Sequence, residues 1–267
     1  MKIGIFDSGV GGLIIAKAIR KTLPEYDYVY LGDTKRVPYG NRSHETVYQF
    51  TRESVEYLFK KENCALVILA CNTASARALR RIQKDYKSTN KKVLGVLIPA
   101  AEEAAQYKKI GILATTGTVV SNTFPREIKK LDKKVQIFQN PAPMLVPLAE
   151  EGENKLVVPF LQKYLEPFLN KKLDALVLGC THYPIFKKEI KKLLSKNTKI
   201  ISQDEIVPKK LKNYLARHPE ISKKLSKNHT AKILVTDMTQ SVKKLSQKWF
   251  GVNTKLKLVN LSKFQAK

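Results

Sequence analysis

Two short motifs occur twice in this sequence, and the repetition constrains the fold more than any other feature. Residues 66–75 (LVILACNTAS) are echoed by residues 176–184 (LVLGCTHYP), and in both the apolar run ends in a small residue and a cysteine. Upstream, residues 2–5 (KIGI) are matched by residues 109–112 (KIGI). Because both motifs recur at nearly the same separation, we predict two similar units, each presenting a cysteine at a strand end.

Length and cysteine content limit the class of protein. A chain of 267 residues can form one large domain or two smaller ones. No apolar run is long enough to span a membrane, and residues 1–7 resemble a strand rather than a secretory signal. Three widely spaced cysteines do not indicate a disulfide framework. We therefore expect a protein of the reducing cytoplasm.

The formal net charge of +26 raises the question of a nucleic-acid partner. The basic residues are mostly lysines, often in pairs such as Lys187 and Lys188, and they are concentrated after residue 185. No standard nucleic-acid motif and no strong aromatic interleaving accompany them. A solvated lysine surface is the simpler interpretation, and such a surface also attracts anionic substrates. We expect no nucleic-acid partner, but a basic module that binds nucleic acid or protein is the non-enzymatic alternative.

Strands and helices alternate along the chain, which favours parallel sheets. A strand at residues 2–6 is followed by a glycine-rich turn, residues 7–12 (DSGVGG), and an apolar-periodic helix. The turn offers backbone N–H groups to an anion, but its glycine spacing is not that of a dinucleotide fingerprint. Residues 65–70 form a near-continuous aliphatic run, typical of a strand buried on both faces.

Cys71 lies where this aliphatic strand ends and a helix begins. Ligands of open α/β sheets bind at that edge, and the positive end of a helix lowers the pKa of a thiol. Cys180 has the same position in the second unit, where Thr115 to Thr118 replace the glycine-rich turn and could grip a carboxylate. Cys64 precedes its strand, and we interpret it as inert.

Other segments carry weaker predictions. Tyr39 sits in a rigid turn between Pro38 and Gly40, where it either faces a pocket or merely packs. Residues 141–152 are expected to form a proline-punctuated linker that contains Glu150. Helices are expected over residues 121–131 and 207–216.

Four hypotheses can explain the two cysteines. They could be buried structural thiols, which are common. They could bind a metal together with His182, although zinc ligands usually come in closely spaced pairs. One thiol could be a nucleophile activated by a histidine, which leaves the other unexplained. In the fourth hypothesis both act: two similar units face each other, one thiolate removes a proton from a tetrahedral carbon, and the opposite thiol returns one. This inverts the stereocentre, as a two-base racemase does.

Four segments of the sequence together carry a family resemblance: residues 6–13 (FDSGVGGL), Asp33 with residues 37–40 (VPYG), residues 70–75 (ACNTAS) and residues 178–184 (LGCTHYP). By these segments, which occur in the family's order, the sequence resembles the cofactor-independent glutamate racemase family of the aspartate/glutamate racemase superfamily. After residue 184 the likeness fades, and residues 202–204 (SQD) depart from the Asp-Ser pair of many members.

The resemblance implies roles for individual residues. Cys71 and Cys180 would be the paired acid and base, Asp7 would assist one thiol and His182 the other, and Glu150 would be a helper carboxylate. The substrate-binding residues that we predict come from the resembling motifs and from the threonine turn: Asp7, Ser8, Pro38, Tyr39, Gly40, Asn72, Thr73, Thr115, Thr118, Thr181 and His182.

The resemblance further implies glutamate as substrate, no cofactor and no metal, a homodimer, and a supply of D-glutamate for peptidoglycan. Without a cofactor, fixed hydrogen-bond donors must stabilise the carbanion, and closure of the two units must exclude water. We predict an α/β fold with two pseudo-symmetric doubly wound parallel-sheet domains and the active site in the cleft between them. Residues 1–95 and 209–267 would form the first domain, and residues 96–208 the second. A racemase of aspartate or another amino acid is the enzymatic alternative.

Overall fold

The computed structural model describes residues 1–152 and 156–264. It contains two parallel sheets with helices on both faces of each. The strands are β1 (Lys2–Asp7), β2 (Tyr28–Gly32), β3 (Cys64–Leu69), β4 (Lys92–Gly95), β5 (Lys109–Ala114), β6 (Gln136–Pro141), β7 (Ala175–Gly179), β8 (Lys199–Ser202), β9 (Ala231–Val235) and β10 (Leu256–Leu258). The first helices are α1 (Gly12–Thr22), α2 (His44–Lys60), α3 (Asn72–Arg77), α4 (Leu79–Asp85), α5 (Leu97–Ala104), α6 (Thr116–Val120) and α7 (Thr123–Leu131). The remaining helices are α8 (Leu145–Glu151), α9 (Val157–Leu169), α10 (Lys187–Leu193), α11 (Gln203–Arg217), α12 (Pro219–Ser222) and α13 (Gln240–Trp249).

The strand order shows the internal repeat. The six-stranded sheet has the order β10-β9-β2-β1-β3-β4, and the four-stranded sheet has the order β6-β5-β7-β8. The second order repeats the β2-β1-β3-β4 part of the first, with β5 in the place of β1 and β7 in the place of β3. The predicted pseudo-symmetric α/β fold is therefore confirmed, and the two cysteines follow equivalent interior strands, β3 and β7.

Burial of both sheet faces explains why the central strands are aliphatic throughout. All residues of β3 and of β7 are buried. On β3, Leu66 and Ile68 pack into the core beneath α1 and α11, whereas Val67 and Leu69 pack into the core beneath α2. This alternation is the period of two expected for a strand with a core on each side.

The C-terminal segment returns to the first sheet. β9 pairs with β2, β10 pairs with β9 at the edge, and α11 packs against α1. The predicted boundary between residues 208 and 209 falls inside α11, so the domain limits stay a proposal. Residues 153–155 and 265–267, which the predicted domains include, lie outside the described residues.

Three expectations for helices were wrong in detail. Residues 145–151 form helix α8 rather than a linker, because Pro147 lies in the first turn, where no backbone N–H is needed. Gly152, with φ of 79°, then ends this helix in the left-handed region. The predicted helix at 121–131 is interrupted at Asn122, whose φ is 51°. Helix α11 begins at Gln203 rather than at residue 207, with two acidic residues in its first turn.

Among the residues described, no helix is both long and apolar enough to cross a membrane.

Candidate active site

The carboxyl ends of the two sheets face a common cavity of about 410 Å³. Both units contribute to its wall, and Cys71 and Cys180 both line it although each is only 6% exposed. The other lining residues are Ser8, Gly9, Val37, Pro38, Tyr39, Gly40, Asn41, Asn72, Thr73, Thr115, Thr116, Pro143, Met144, Val146, Pro147, Glu150, Thr181 and His182. The cavity therefore offers a thiol from each of two equivalent strand ends.

Cys71 follows β3 and caps the N-terminus of α3. Its sulfur accepts hydrogen bonds from the Ala74 backbone N–H at 3.5 Å and from the Ser8 hydroxyl at 3.4 Å. Burial and the neighbouring carboxylate of Asp7 raise the pKa of Cys71 to about 12, although the two hydrogen bonds act in the opposite direction. Cys71 is therefore a protonated thiol at neutral pH.

Asp7 is the last residue of β1 and lies behind the cavity wall, only 1% exposed. Its Oδ2 accepts a hydrogen bond from the Gly9 N–H at 3.0 Å, whereas Oδ1 has no hydrogen-bond partner among the described residues. Burial raises the pKa of Asp7 despite the opposing charge of His182. A Cβ on Gly12 would approach the Cβ of Asp7 to 2.6 Å, so the glycine allows the turn to close over this carboxyl.

Cys180 has a different neighbourhood. Its Sγ is 3.8 Å from Nδ1 of His182, and Nε2 of His182 is 3.0 Å from the Glu150 carboxylate on α8. Burial lowers the pKa of His182, but hydrogen bonds with Cys180 and Glu150 outweigh it and raise the pKa to about 10. The edge of Trp249 supports the imidazole ring, with centroids 5.4 Å apart. His182 is therefore an imidazolium at neutral pH, placed to stabilise a thiolate at Cys180.

The glycine-rich turn of the first unit packs directly on this histidine. A Cβ on Gly11 would come within 2.4 Å of the His182 ring and 2.6 Å of the Thr181 hydroxyl. Only glycine permits this approach without displacing the ring. The turn thus brings the first unit into contact with the segment of the second unit that follows Cys180.

Hydroxyl groups from both units meet beside the thiols. The hydroxyls of Thr73 and Thr115 are 2.9 Å apart, and Thr118 lies 3.0 Å from Thr115. Thr118 is fully buried and does not line the cavity, so it orients the other two hydroxyls rather than facing a ligand. Of the two threonines predicted to bind substrate, Thr115 therefore faces the cavity and Thr118 supports it from behind.

Tyr39 both borders the cavity and packs in the core, so the two interpretations of this residue hold together. Tyr39 borders the cavity with Pro38 and Gly40, yet it is only 1% exposed, and its hydroxyl donates to the buried Asp33. Arg36 also binds Asp33, at 2.6 Å, and fixes the base of the loop. Burial raises the pKa of Tyr39 well above its usual value, so the ring is a wall of the site and not an acid.

Comparison with known proteins identifies the family of the chain. The family model described as Asp/Glu/hydantoin racemase matches residues 14–206.

The chain belongs to this racemase family.

Its relatives are more specific. The chain is 38% identical to a glutamate racemase of Sulfurihydrogenibium sp. over 94% of each chain, and 43% identical to that of Aquifex pyrophilus over 80% of this chain and 84% of the relative. The crystal structure of glutamate racemase from Francisella tularensis in complex with D-glutamate has a TM-score of 0.89 at 32% identity, covering 98% of both chains. The protein is thus a glutamate-racemase-type isomerase.

An aspartate racemase from Picrophilus torridus is more distant. It has a TM-score of 0.56 and 18% identity over 83% of this chain, which is a likeness of fold alone. The family of the chain is therefore shown at the level of glutamate racemases, and the shared fold extends further.

Several residues of the racemase cavity escaped the sequence analysis. Asn41 and Thr116 are direct neighbours of predicted site residues, so the motifs already pointed to them. Met144, Val146 and Pro147 could not be found, because their segment was expected to be a linker. Gln203 is a further omission: it does not line the cavity, but it pairs with Asn72, which does.

The remaining cysteine differs from the two in the cavity. Cys64 is fully buried at the start of β3, where burial and Glu62 raise its pKa to about 12. It does not contribute to the cavity wall. Among the described residues, no group of three or more His, Cys, Asp or Glu side chains is arranged to hold a metal ion.

Proposed function

We propose that this racemase interconverts L- and D-glutamate by a two-base mechanism in which Cys71 and Cys180 act from opposite faces of the α-carbon. The observation that carries the proposal is that each unit places one thiol, at an equivalent strand end, on the wall of the same cavity. A substrate held between these strand ends would present its α-carbon to both sulfurs.

We propose a first step in which Cys180 acts as the thiolate, because the His182 imidazolium lies 3.8 Å from its sulfur, whereas Cys71 is a thiol. In the direction that begins from this state, the Cys180 thiolate accepts the α-proton and the electron pair of the C–H bond stays on the α-carbon. The Cys71 thiol then gives its proton to the opposite face, which leaves Cys180 protonated and Cys71 as thiolate. In the reverse direction the same steps run backwards.

The carbanion requires stabilisation by groups that are already in place. Ser8, Thr73 and Thr181 border the cavity with side chains that carry hydroxyl donors, and helices α3 and α6 begin at its wall. These donors suit the carboxylates of an acidic amino acid. No cofactor is assigned to the step, because the two thiols and these donors supply both proton transfers and charge stabilisation.

The biological role that we propose follows from the family. D-glutamate is a component of peptidoglycan, so the enzyme would act in cell-wall biogenesis and cell shape, in the cytoplasm. We also propose that the functional form is a homodimer. Racemisation of aspartate or another amino acid is the second candidate activity, since the matching family model is described as Asp/Glu/hydantoin racemase.

Incubation of the purified protein with L-glutamate in deuterated buffer, without added cofactor, tests the proposal. We expect the circular-dichroism signal to decay to zero while deuterium enters the α-position. An unchanged signal with glutamate, together with activity on aspartate, would show that the substrate assignment is wrong. Loss of activity on treatment with a carbonyl reagent that traps pyridoxal phosphate would contradict the cofactor-free mechanism.

A further inference from the structure

The chain passes between the two units twice, and one buried side chain contacts both crossings. The first crossing follows β4 at Val96, and the second follows β8 at Ser202 and Gln203. Gln203 is only 1% exposed, and its Nε2 lies 3.4 Å from the carbonyl oxygen of Val96. The crossings are thus joined at a point directly behind the active-site cavity.

The same side chain forms a reciprocal amide pair with Asn72. Asn72 Nδ2 donates to Gln203 Oε1 at 2.7 Å, and Gln203 Nε2 donates to Asn72 Oδ1 at 2.6 Å. Asn72 is 2% exposed and borders the cavity one residue after Cys71. Both members of the pair are buried, so rotation of either amide would leave a buried polar atom without a partner, which is costly.

The pairing leaves Asn72 with one defined function towards the cavity. A primary amide has two N–H groups and one oxygen. Gln203 uses one N–H and one lone pair of the oxygen, so the second N–H is the one donor that Asn72 can still offer to an anionic ligand. That group would donate to an anionic oxygen of the substrate.

We infer that Gln203 is a positioning residue for racemisation, which fixes the Asn72 amide so that its free N–H faces the substrate carboxylate. Because Gln203 also donates to the Val96 carbonyl, the same side chain fixes the amide and joins the two crossings. The inference rests on the function proposed above and assigns a role to a residue outside the cavity wall.

Replacement of Gln203 by methionine gives the direct test, since methionine is similar in length but forms no such hydrogen bonds. For Q203M we expect kcat/KM for glutamate to fall about tenfold or more, since both hydrogen bonds that hold the Asn72 amide are lost. The fall should come more from KM than from kcat, because the Asn72 N–H would bind the carboxylate in ground state and transition state alike.

Gln83 provides a matched control. Its Nε2 also donates to a backbone carbonyl, that of Val93 at 2.8 Å, but it contacts no residue of the cavity. Q83M should lose thermal stability as Q203M does, while its kcat/KM remains within about twofold of the native value. Equal losses of kcat/KM in the two variants would mean that Gln203 acts only through stability, and the inference would be overturned.

A double-mutant cycle separates positioning from general support. If Gln203 acts through Asn72, adding Q203M to N72A should change the residual rate by less than about twofold. Multiplication of the two single effects would refute the inference.

A charged replacement adds a pH signature. In Q203E the carboxylate can accept from Asn72 but cannot donate to it, whereas the protonated acid can do both. The activity of Q203E relative to the native enzyme should therefore decline as pH rises, and that of Q203M should be independent of pH. A constant ratio for Q203E would show that Asn72 needs no donor.

If the native enzyme racemises glutamate but Q203M is unimpaired, only this inference fails. An inactive native enzyme would instead refute the proposed function.

Discussion

Cys71 and Cys180 occupy equivalent places in the fold but opposite electrostatic surroundings. Each follows an interior strand of its sheet and lines the same cavity. Burial and the nearby carboxyl of Asp7 raise the pKa of Cys71, whereas Cys180 lies against His182, whose imidazolium is held by Glu150. The repeat therefore conserves the position of the thiols and not the charged groups beside them.

This difference has a chemical purpose in the proposed mechanism. Two thiols in identical surroundings would still form a singly ionised pair, because two neighbouring thiolates repel each other, but either sulfur would carry the charge equally often. Unequal surroundings instead distinguish the sulfur that accepts the proton from the sulfur that gives it in a given direction. Because the two groups share one cavity, their titrations should be coupled rather than independent.

The largest effect is expected when either thiol is removed. Cys71→Ala and Cys180→Ala should each reduce racemisation of L-glutamate by about 1,000-fold or more, since each removes one of two required proton carriers. The measurement is the decay of the circular-dichroism signal of the substrate. Melting curves should show that both variants remain folded. Substantial racemisation by either variant would contradict the need for two bases.

A smaller effect is expected from Glu150→Gln, which weakens only the Cys180 side. Loss of the hydrogen bond between charged groups should slow racemisation about tenfold at neutral pH. Against the effect of burial, hydrogen bonds with Cys180 and Glu150 together raise the pKa of His182 to about 10, so a neutral replacement of Glu150 lowers that pKa. The imidazolium then loses its proton at a lower pH, and the rate of the variant should decline at a lower pH than that of the native enzyme. Superimposable pH profiles would show that Glu150 does not hold the charge of His182.

The smallest effect is expected at the third cysteine. Cys64→Ala removes a buried thiol outside the cavity and should leave kcat/KM unchanged. The small void should lower stability by roughly 1 kcal/mol, measured by denaturant unfolding. This variant also controls for nonspecific effects of cysteine removal, and a large loss of activity would question the assignment of the other two thiols.

The sequence predicted the parts of this arrangement that depend on local order. Strand, turn and helix follow one another around Cys71 and Cys180, so the position of each thiol at a sheet edge was accessible from the pattern. Their shared cavity followed from the repeat together with the family resemblance.

What could not be predicted depends on contacts between distant segments. The sequence predicts a linker where the helix that presents Glu150 lies, because Pro141, Pro143 and Pro147 all precede the second turn of this helix. Neither the raised pKa of His182 nor the pairing of Gln203 with Asn72 has a local signature, since each requires residues far apart in the chain to meet in a buried site. The imbalance between the two thiols therefore became visible only in the structure.

Exchange of the substrate α-hydrogen by variants that keep only one of the two cavity thiols tests the two-base account most directly. Cys71→Ser and Cys180→Ser should be incubated separately with L-glutamate and with D-glutamate in deuterated buffer, and α-deuterium should be followed by NMR. A lone thiol reaches only one face of the α-carbon, so each variant should exchange one enantiomer without inversion, and the two variants should prefer opposite enantiomers. Exchange of both enantiomers by one variant, or of the same enantiomer by both, would contradict the placement of the two bases on opposite faces.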